Sequence, residues 1–101
     1  MSEATLSETG GGRWTLGGAL DFSTVPDIWP SLERLLGAGG ALRLSLAKVN
    51  QTNSAGLVLL VEARDLALRT GCRLDLVDLP PALMDLARMS GCETLIAPDA
   101  A

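Results

Sequence analysis

The stretch ALRLSLAKVNQTNSAGLVLLVEA, residues 41–63, changes periodicity in its middle, and this change decides the fold. Its first part, ALRLSLAKV, alternates leucine with arginine, serine and alanine, a period of two that predicts a strand with one buried face from Ala41 to Val49. Polar residues follow, and an apolar run then predicts a helix from about Ser54 to Thr70. A strand that leads directly into a helix is the repeating unit of an α/β sheet.

The composition limits both the size of the protein and the partners it binds. We expect one domain over residues 1–101, because a chain of 101 residues buries one core and not two. The 8 basic and 12 acidic residues give a net charge of -4, and Trp14, Phe22 and Trp29 are the only aromatic residues. A chain this acidic and this poor in rings is unsuited to binding a phosphate backbone or stacking on bases, which argues against nucleic acid as a partner.

The reactive residue types also restrict the chemistry. Histidine is absent, which removes the commonest general base and neutral metal ligand. Cys72 and Cys92 form no CxxC pair, so we interpret both as small core residues of a reducing compartment and expect no metal and no cofactor. The N-terminal residues do not resemble a signal peptide, and no segment reaches the ~18 apolar residues of a membrane span. The sequence therefore predicts a cytoplasmic protein without direct membrane insertion.

The segments before residue 41 predict a hairpin and an amphipathic helix. Trp14 and Leu16 alternate with polar neighbours, and an earlier strand at Thr5 and Leu6 pairs across the glycine turn. Ser23 or Thr24 then caps a helix that ends at Gly37. The apolar face of this helix comprises Val25, Ile28, Trp29, Leu32, Leu35 and Leu36.

The segments after residue 70 predict one more strand and helix, followed by a short last strand. RLDLVD, residues 73–78, alternates again, and Pro80 and Pro81 open a helix that ends before Gly91. Residues Thr94 to Ile96 are expected to finish the sheet. Because the later units run strand, helix, strand, their strands should be parallel neighbours with right-handed crossovers.

Polar residues within the predicted strands place all helices on one side of the sheet. Parallel strands usually bury both faces, whereas here every strand has one face that is polar. We therefore predict an α/β fold with a small mixed sheet of four to five strands and helices on one face. The residues that point away from the leucines are Arg13, Thr15, Arg43, Ser45, Arg73 and Asp75.

The start of the second helix leaves two questions open: which polar residue caps it, and what covers its outer side. Asn53 or Ser54 is suited to cap the free N–H groups of the first turn. Residues 55–61 are all apolar or glycine, so they surround the helix for nearly two turns although only one side can face the sheet. The other side is covered either by neighbouring helices or by a partner protein that docks beside Ser54, with the polar residues 50–53 as its rim.

The order of elements, with NSAGL (residues 53–57) opening a helix after a strand, resembles the STAS domain, the fold of bacterial anti-sigma factor antagonists. The resemblance covers nearly the whole chain and is most specific in VNQTNSAGLVLL. It implies that Ser54 takes the hydroxyl position of the family's Asp-Ser or Asp-Thr motif, and that Gly56 and Leu57 take its Gly-Leu. Asn53 stands where the family usually has Asp, which keeps a capping group and removes a charge.

Within that family the chain is similar to the MlaB-type cytoplasmic subunit of the lipid-asymmetry ABC transport system of Gram-negative bacteria. The segments ALDFSTVPDIWPSLERLL and GLVLLVEA carry this similarity. It implies a non-enzymatic subunit that binds the transporter's ATPase and, through it, an inner-membrane permease, and so lies peripheral to the inner membrane. We expect the partner-binding residues to be Thr52, Asn53, Ser54, Ala55, Leu57, Val58 and Trp29.

Two other classes of function compete with this one. The first is an anti-sigma factor antagonist that is switched off by phosphorylation of Ser54, since phosphate adds ~1.5 to 2 negative charges where an apolar partner would lie. The second is an enzyme with Asp78 and Asp85 as a carboxylate pair, which we disfavour because no base, metal cluster or phosphate-binding loop accompanies them. A helix N-terminus at Ser54 could also attract an anion, but no glycine-rich loop or placed lysine supports a nucleotide site.

Overall fold

The computed structural model describes residues 3–96, which form a four-stranded mixed sheet with helices on one face. The sheet order is β1-β2-β3-β4, with β1 antiparallel to β2 and the other neighbours parallel. The predicted fold class and hairpin are confirmed. In chain order the elements are β1 (Ala4–Gly10), β2 (Arg13–Leu20), α1 (Val25–Gly37), β3 (Ala41–Thr52), α2 (Ser54–Thr70), β4 (Arg73–Val77), α3 (Pro81–Met89) and α4 (Glu93–Ile96).

The core lies between the leucine face of the sheet and the helices. Alternate positions of β3 and β4 are buried, and their neighbours Arg43 and Arg73 are exposed, as the period of two requires. Helix α1 buries Ile28, Leu32 and Leu36 against the same core. The side chains that are completely or almost completely buried are Leu16, Leu20, Leu32, Leu36, Leu44, Leu46, Leu60, Leu76, Leu83 and Ile96.

The entry to α1 is held by a residue other than those predicted. Thr24 occupies the N-cap position, yet its side chain makes no capping hydrogen bond. Instead, Asp21 Oδ1 accepts hydrogen bonds from the backbone N–H groups of Ser23 (2.9 Å) and Thr24 (3.1 Å). The buried Thr24 hydroxyl donates to Ala19 O at 2.8 Å, which fastens the turn to the end of β2.

Two boundaries differ from the sequence prediction. Strand β3 continues to Thr52, because Ala19 and Leu20 of β2 pair with Gln51 and Thr52 beyond the leucine pattern. The predicted last strand at Thr94 to Ile96 is wrong, since this segment is the short helix α4, in which Leu95 N–H donates to Cys92 O. Ile96 is completely buried by packing into the core and not by strand pairing.

The ends of the other helices follow the predicted signals. Gly71 ends α2 in the left-handed conformation, with φ of 73°, and its N–H donates to Ala67 O. Pro81 opens α3 as predicted. Although α2 has 17 residues, no helix within residues 3–96 is both long and apolar enough to cross a membrane.

The two cysteines lie within or beside the core as free thiols. Cys72 is 7% exposed just before β4, and burial raises the pKa of its thiol. Cys92 is half-buried and packs against the same cluster. A raised thiol pKa opposes formation of the thiolate, the form that reacts or binds metal, so the structure is consistent with a packing role for Cys72.

Helix α2 approaches the ends of β2 and β3 so closely that Gly56 leaves no room for a side chain. A Cβ placed on Gly56 would overlap Thr52 Oγ1 and would lie 3.1 Å from Leu20 Cβ. This contact fixes the position of the first turn of α2 against the sheet. The glycine of the NSAGL segment is therefore required by packing.

We expect Gly56→Ala to lower the free energy of unfolding by roughly 1–3 kcal/mol, because the added methyl overpacks this contact. Gly37→Ala in the last turn of α1 is the matched control, since a Cβ there meets no atom within 4 Å; its effect should stay below about 1 kcal/mol. Urea unfolding followed by circular dichroism measures both. Equal stability of the two variants would contradict the close packing.

Candidate partner-binding surface

The candidate site begins where β3 passes into α2. Asn53, the residue between them, has extended backbone angles, and its N–H donates to Leu20 O at 3.2 Å. Thr52 is the register partner of Leu20. The start of α2 is thus fixed to the carboxyl end of β2, the edge of a parallel sheet at which binding sites commonly lie.

Asn53 is the residue that caps α2, which resolves the choice between Asn53 and Ser54. Its Oδ1 accepts a hydrogen bond from Ala55 N–H at 2.9 Å. Thr52 Oγ1 donates to Asn53 O at 3.2 Å and so supports the same turn. Ser54, the first helical residue, is exposed, and its hydroxyl makes no hydrogen bond with any other residue that the structure describes.

Most of the apolar block in α2 is covered by the fold itself. Ala55 and Leu57 are only 5% and 6% exposed, and Leu59 and Leu60 are buried as well. Val58 is the exception, with 56% of its surface exposed. The expectation that Ala55 and Leu57 present their side chains to a partner therefore needs correction: in this structure both belong to the core that supports the surface.

The outward side of α2 forms a continuous stripe of exposed residues. From Ser54 the stripe passes through Val58, Glu62, Asp65 and Leu68, which recur at helical spacing. Asp65 forms an exposed ion pair with Arg69 at 3.0 Å. The stripe combines apolar and acidic side chains, so it suits a partner that offers both an apolar pocket and basic residues.

Phe22, which was not among the predicted partner-binding residues, lies at the same edge of the sheet. Phe22 is 72% exposed in the turn between β2 and α1, which leaves the sheet at the end where β3 meets α2. The hydrogen bonds of this turn are made by the residues next to Phe22. Its exposed ring therefore makes no evident contribution to folding. The signal was present in the sequence, because the only phenylalanine stands outside every apolar face.

Trp29 has a smaller share in this surface than expected. It is half-buried and packs against the hydrophobic core from α1, the helix beside α2. Part of its ring is therefore covered by the core of the domain. Partner binding by Trp29, Thr52, Asn53, Ser54 and Val58 stays a prediction.

Residues 3–96 contain no group of three metal-ligating side chains. The two carboxylates considered for catalysis make separate local contacts: Asp78 accepts a hydrogen bond from Ser45 Oγ at 2.8 Å, and Asp85 pairs with Arg88 at 3.0 Å. Asp78 follows β4 and Asp85 lies on α3, as expected. Neither of these contacts joins the two carboxylates to each other.

The sheet order, the one-sided helices and the Asn53 cap followed by Ser54 at the start of α2 define the class of the fold. The chain is similar to the anti-sigma factor antagonist SpoIIAA in its unphosphorylated form, with a TM-score of 0.69 at 16% identity over 91% of this chain and 84% of that one. It is equally similar to the Bacillus cell fate determinant SpoIIAA in the phosphorylated form, with a TM-score of 0.68, 17% identity and coverages of 91% and 86%. The fold is that of the anti-sigma factor antagonists.

The family follows from the sequence itself. The family model described as "Mlab, STAS domain" matches residues 5–97, nearly the whole chain. The protein belongs to the STAS domain family. No curated protein matches the chain.

We expect Asn53→Ala to lower the free energy of unfolding by about 1 kcal/mol, because it removes the acceptor for Ala55 N–H. Asn53→Asp should retain or raise stability at pH 7, since a carboxylate keeps the acceptor and adds negative charge at the positive end of the helix. Asn50→Ala changes an exposed amide in the same segment and serves as the control. Urea titrations compare the three. A loss in Asn50→Ala equal to that in Asn53→Ala would show that the cap contributes nothing specific.

Proposed function

We propose that this STAS protein is a non-enzymatic subunit that binds the cytoplasmic ATPase of an ABC transporter. In this proposal the transporter moves phospholipids to maintain outer-membrane lipid asymmetry, and the subunit supports its assembly and activity. The description of the matching family, "Mlab, STAS domain", supports the proposal. The protein would then lie on the cytoplasmic side of the inner membrane and reach the permease through the ATPase.

The observation that carries the proposal is the exposure of Val58, one helical turn beyond the free hydroxyl of Ser54, and of Phe22, in the turn at the same edge of the sheet. Large apolar side chains that a fold leaves in solvent at one edge are a common mark of an interface. A few such residues usually dominate binding, while the surrounding polar residues exclude water. Here the rim would be supplied by Thr52 and Asn53, whose backbone is already fixed by the sheet.

The same geometry would allow the subunit to bind its partner without catalysing a reaction. Because Asn53 and Gly56 hold the first turn of α2 against the sheet, Val58 is presented on a rigid element and little ordering is needed on binding. Glu62 and Asp65, further along the stripe, would favour a basic neighbouring surface on the ATPase. The subunit would therefore stabilise whichever arrangement of the ATPase matches this surface.

We expect Val58→Arg to reduce recovery of the transporter at least tenfold, because a charge would replace an apolar contact at the centre of the interface. The tagged protein is purified from detergent-solubilised native membranes, and co-eluting proteins are identified by mass spectrometry. Met89→Arg is the matched control, since it places the same charge at an apolar residue 77% exposed at the end of α3, outside the stripe on α2. Ala55→Arg is unsuitable because its burial would couple binding to unfolding.

Three outcomes of this experiment are informative. Recovery of an ABC ATPase and permease by the wild type and by Met89→Arg, but not by Val58→Arg, supports the proposal and locates the interface. Failure of the wild type to recover a transporter contradicts the proposed function. Equal recovery by both arginine variants contradicts the proposed interface alone.

A second candidate is an anti-sigma factor antagonist controlled by phosphorylation of Ser54. It is favoured by the exposed, unpartnered hydroxyl of Ser54 and by the fold shared with SpoIIAA, which is described in phosphorylated and unphosphorylated forms. Incubation with a candidate anti-sigma kinase and ATP, followed by intact-mass measurement, tests it, with Ser54→Ala as the control. Addition of one phosphate to the wild type alone would support this function, and an unchanged mass would remove it.

A further inference from the structure

The face of the sheet opposite the helices carries a group of arginines at the start of the parallel strands. Arg13 of β2 is the register partner of Arg43 of β3, and Arg43 is the partner of Asp75 of β4. Arg73, at the first position of β4, completes the group, and all three arginines are exposed. We call Arg13, Arg43 and Arg73 the arginine patch.

The charge of the patch is only partly neutralised. Arg43 forms an ion pair with Asp75 at 3.2 Å, whereas Arg13 and Arg73 form none with the residues that the structure describes. The three arginines and the two carboxylates beside them, Asp75 and Asp78, leave an excess of one positive charge, on a chain whose net charge is -4. Like charges directly opposite each other on neighbouring strands destabilise a sheet, so the pair Arg13 and Arg43 is unfavourable for folding alone.

The patch lies far from the surface proposed to bind the ATPase. Arg43 stands near the start of β3 and Thr52 at its end, which places them on the order of 30 Å apart in an extended strand. The patch also faces away from the helices, because the leucines that alternate with its residues point into the core. A ligand on the arginine patch would therefore leave Ser54 and Val58 accessible.

We propose that the arginine patch binds an acidic segment of a protein partner, rich in aspartate and glutamate. All three cations are arginines, whose planar guanidinium groups bind carboxylates in a bidentate manner. Thr15, on the same face, adds a hydroxyl group suited to a polar peptide, whereas the Ser45 hydroxyl donates to Asp78. This inference goes beyond the proposed function and does not depend on it.

The observations favour a protein segment over an anionic bilayer. The exposed large apolar residues of the described chain are Phe22, Val58, Leu68, Met89 and Leu95, and none of them lies on a strand, so this face offers nothing to insert among lipids. Asp75 within the patch would be repelled by a uniformly negative surface, whereas a peptide can place a neutral or basic residue opposite it. The attraction of three arginines to anionic headgroups, less the repulsion of Asp75, would hold the domain only weakly at a membrane.

Fluorescence anisotropy with a labelled peptide of alternating glutamate and aspartate tests the proposal on the full chain at low salt. We expect saturable binding that weakens with added salt and falls at least tenfold in the triple variant Arg13→Gln, Arg43→Gln, Arg73→Gln. Asp75→Asn should strengthen binding several-fold, because it removes the carboxylate that competes for Arg43. These two changes move affinity in opposite directions, so a general loss of structure cannot imitate both.

Matched controls separate the patch from charge in general. Lys48→Gln and Arg88→Gln each remove one exposed positive charge outside the patch and should change the affinity less than twofold. Absence of binding by the wild type, or losses in these controls equal to those of single patch variants, would overturn the proposal. Tighter binding to vesicles of phosphatidylglycerol than to the peptide would overturn it as well, and would identify the patch as a lipid-binding surface.

Discussion

The close approach of α2 to the ends of β2 and β3 is the contact on which the rest of the structure depends. Gly56 permits it, Leu20 and Thr52 form its other side, and Asn53 fixes the chain through one backbone and one side-chain hydrogen bond. Because the helix is held there, its leucines meet the leucine face of the sheet while the first turn stays at the surface. The contact that closes the core therefore also positions the candidate site.

The structure separates two kinds of surface. One lies where the parallel strands end and combines exposed apolar side chains with an unpartnered hydroxyl on rigid backbone. The other lies on the uncovered face, near the start of the same strands, and concentrates positive charge in an otherwise acidic chain. A small domain without helices on its second face thus presents two separate surfaces, one with exposed apolar side chains and the other with a concentration of charge.

The sequence predicted the sheet and the helices because leucine recurs with a clear period in each of them, and because Gly37, Gly71 and Gly91 mark where helices end or turn. It failed at Thr94 to Ile96, where three residues are too few to distinguish a strand from a helical turn. It also could not show how much of the apolar block in α2 is covered. Burial of Ala55 and Leu57 depends on how closely the helix approaches the sheet, and exposure of Phe22 depends on the direction of a turn. Neither the distance between helix and sheet nor the direction of the turn produces a periodic pattern in the sequence.

The spatial order of the four strands is the order in which a ribosome makes them. Each new strand can pair at once with one already synthesised, which keeps contacts local and favours rapid folding. Leu20, Thr52 and Gly56 all precede β4, so the junction at the start of α2 can form while the last strand and the two C-terminal helices are still inside the exit tunnel. The candidate surface can therefore take its shape before the domain is complete.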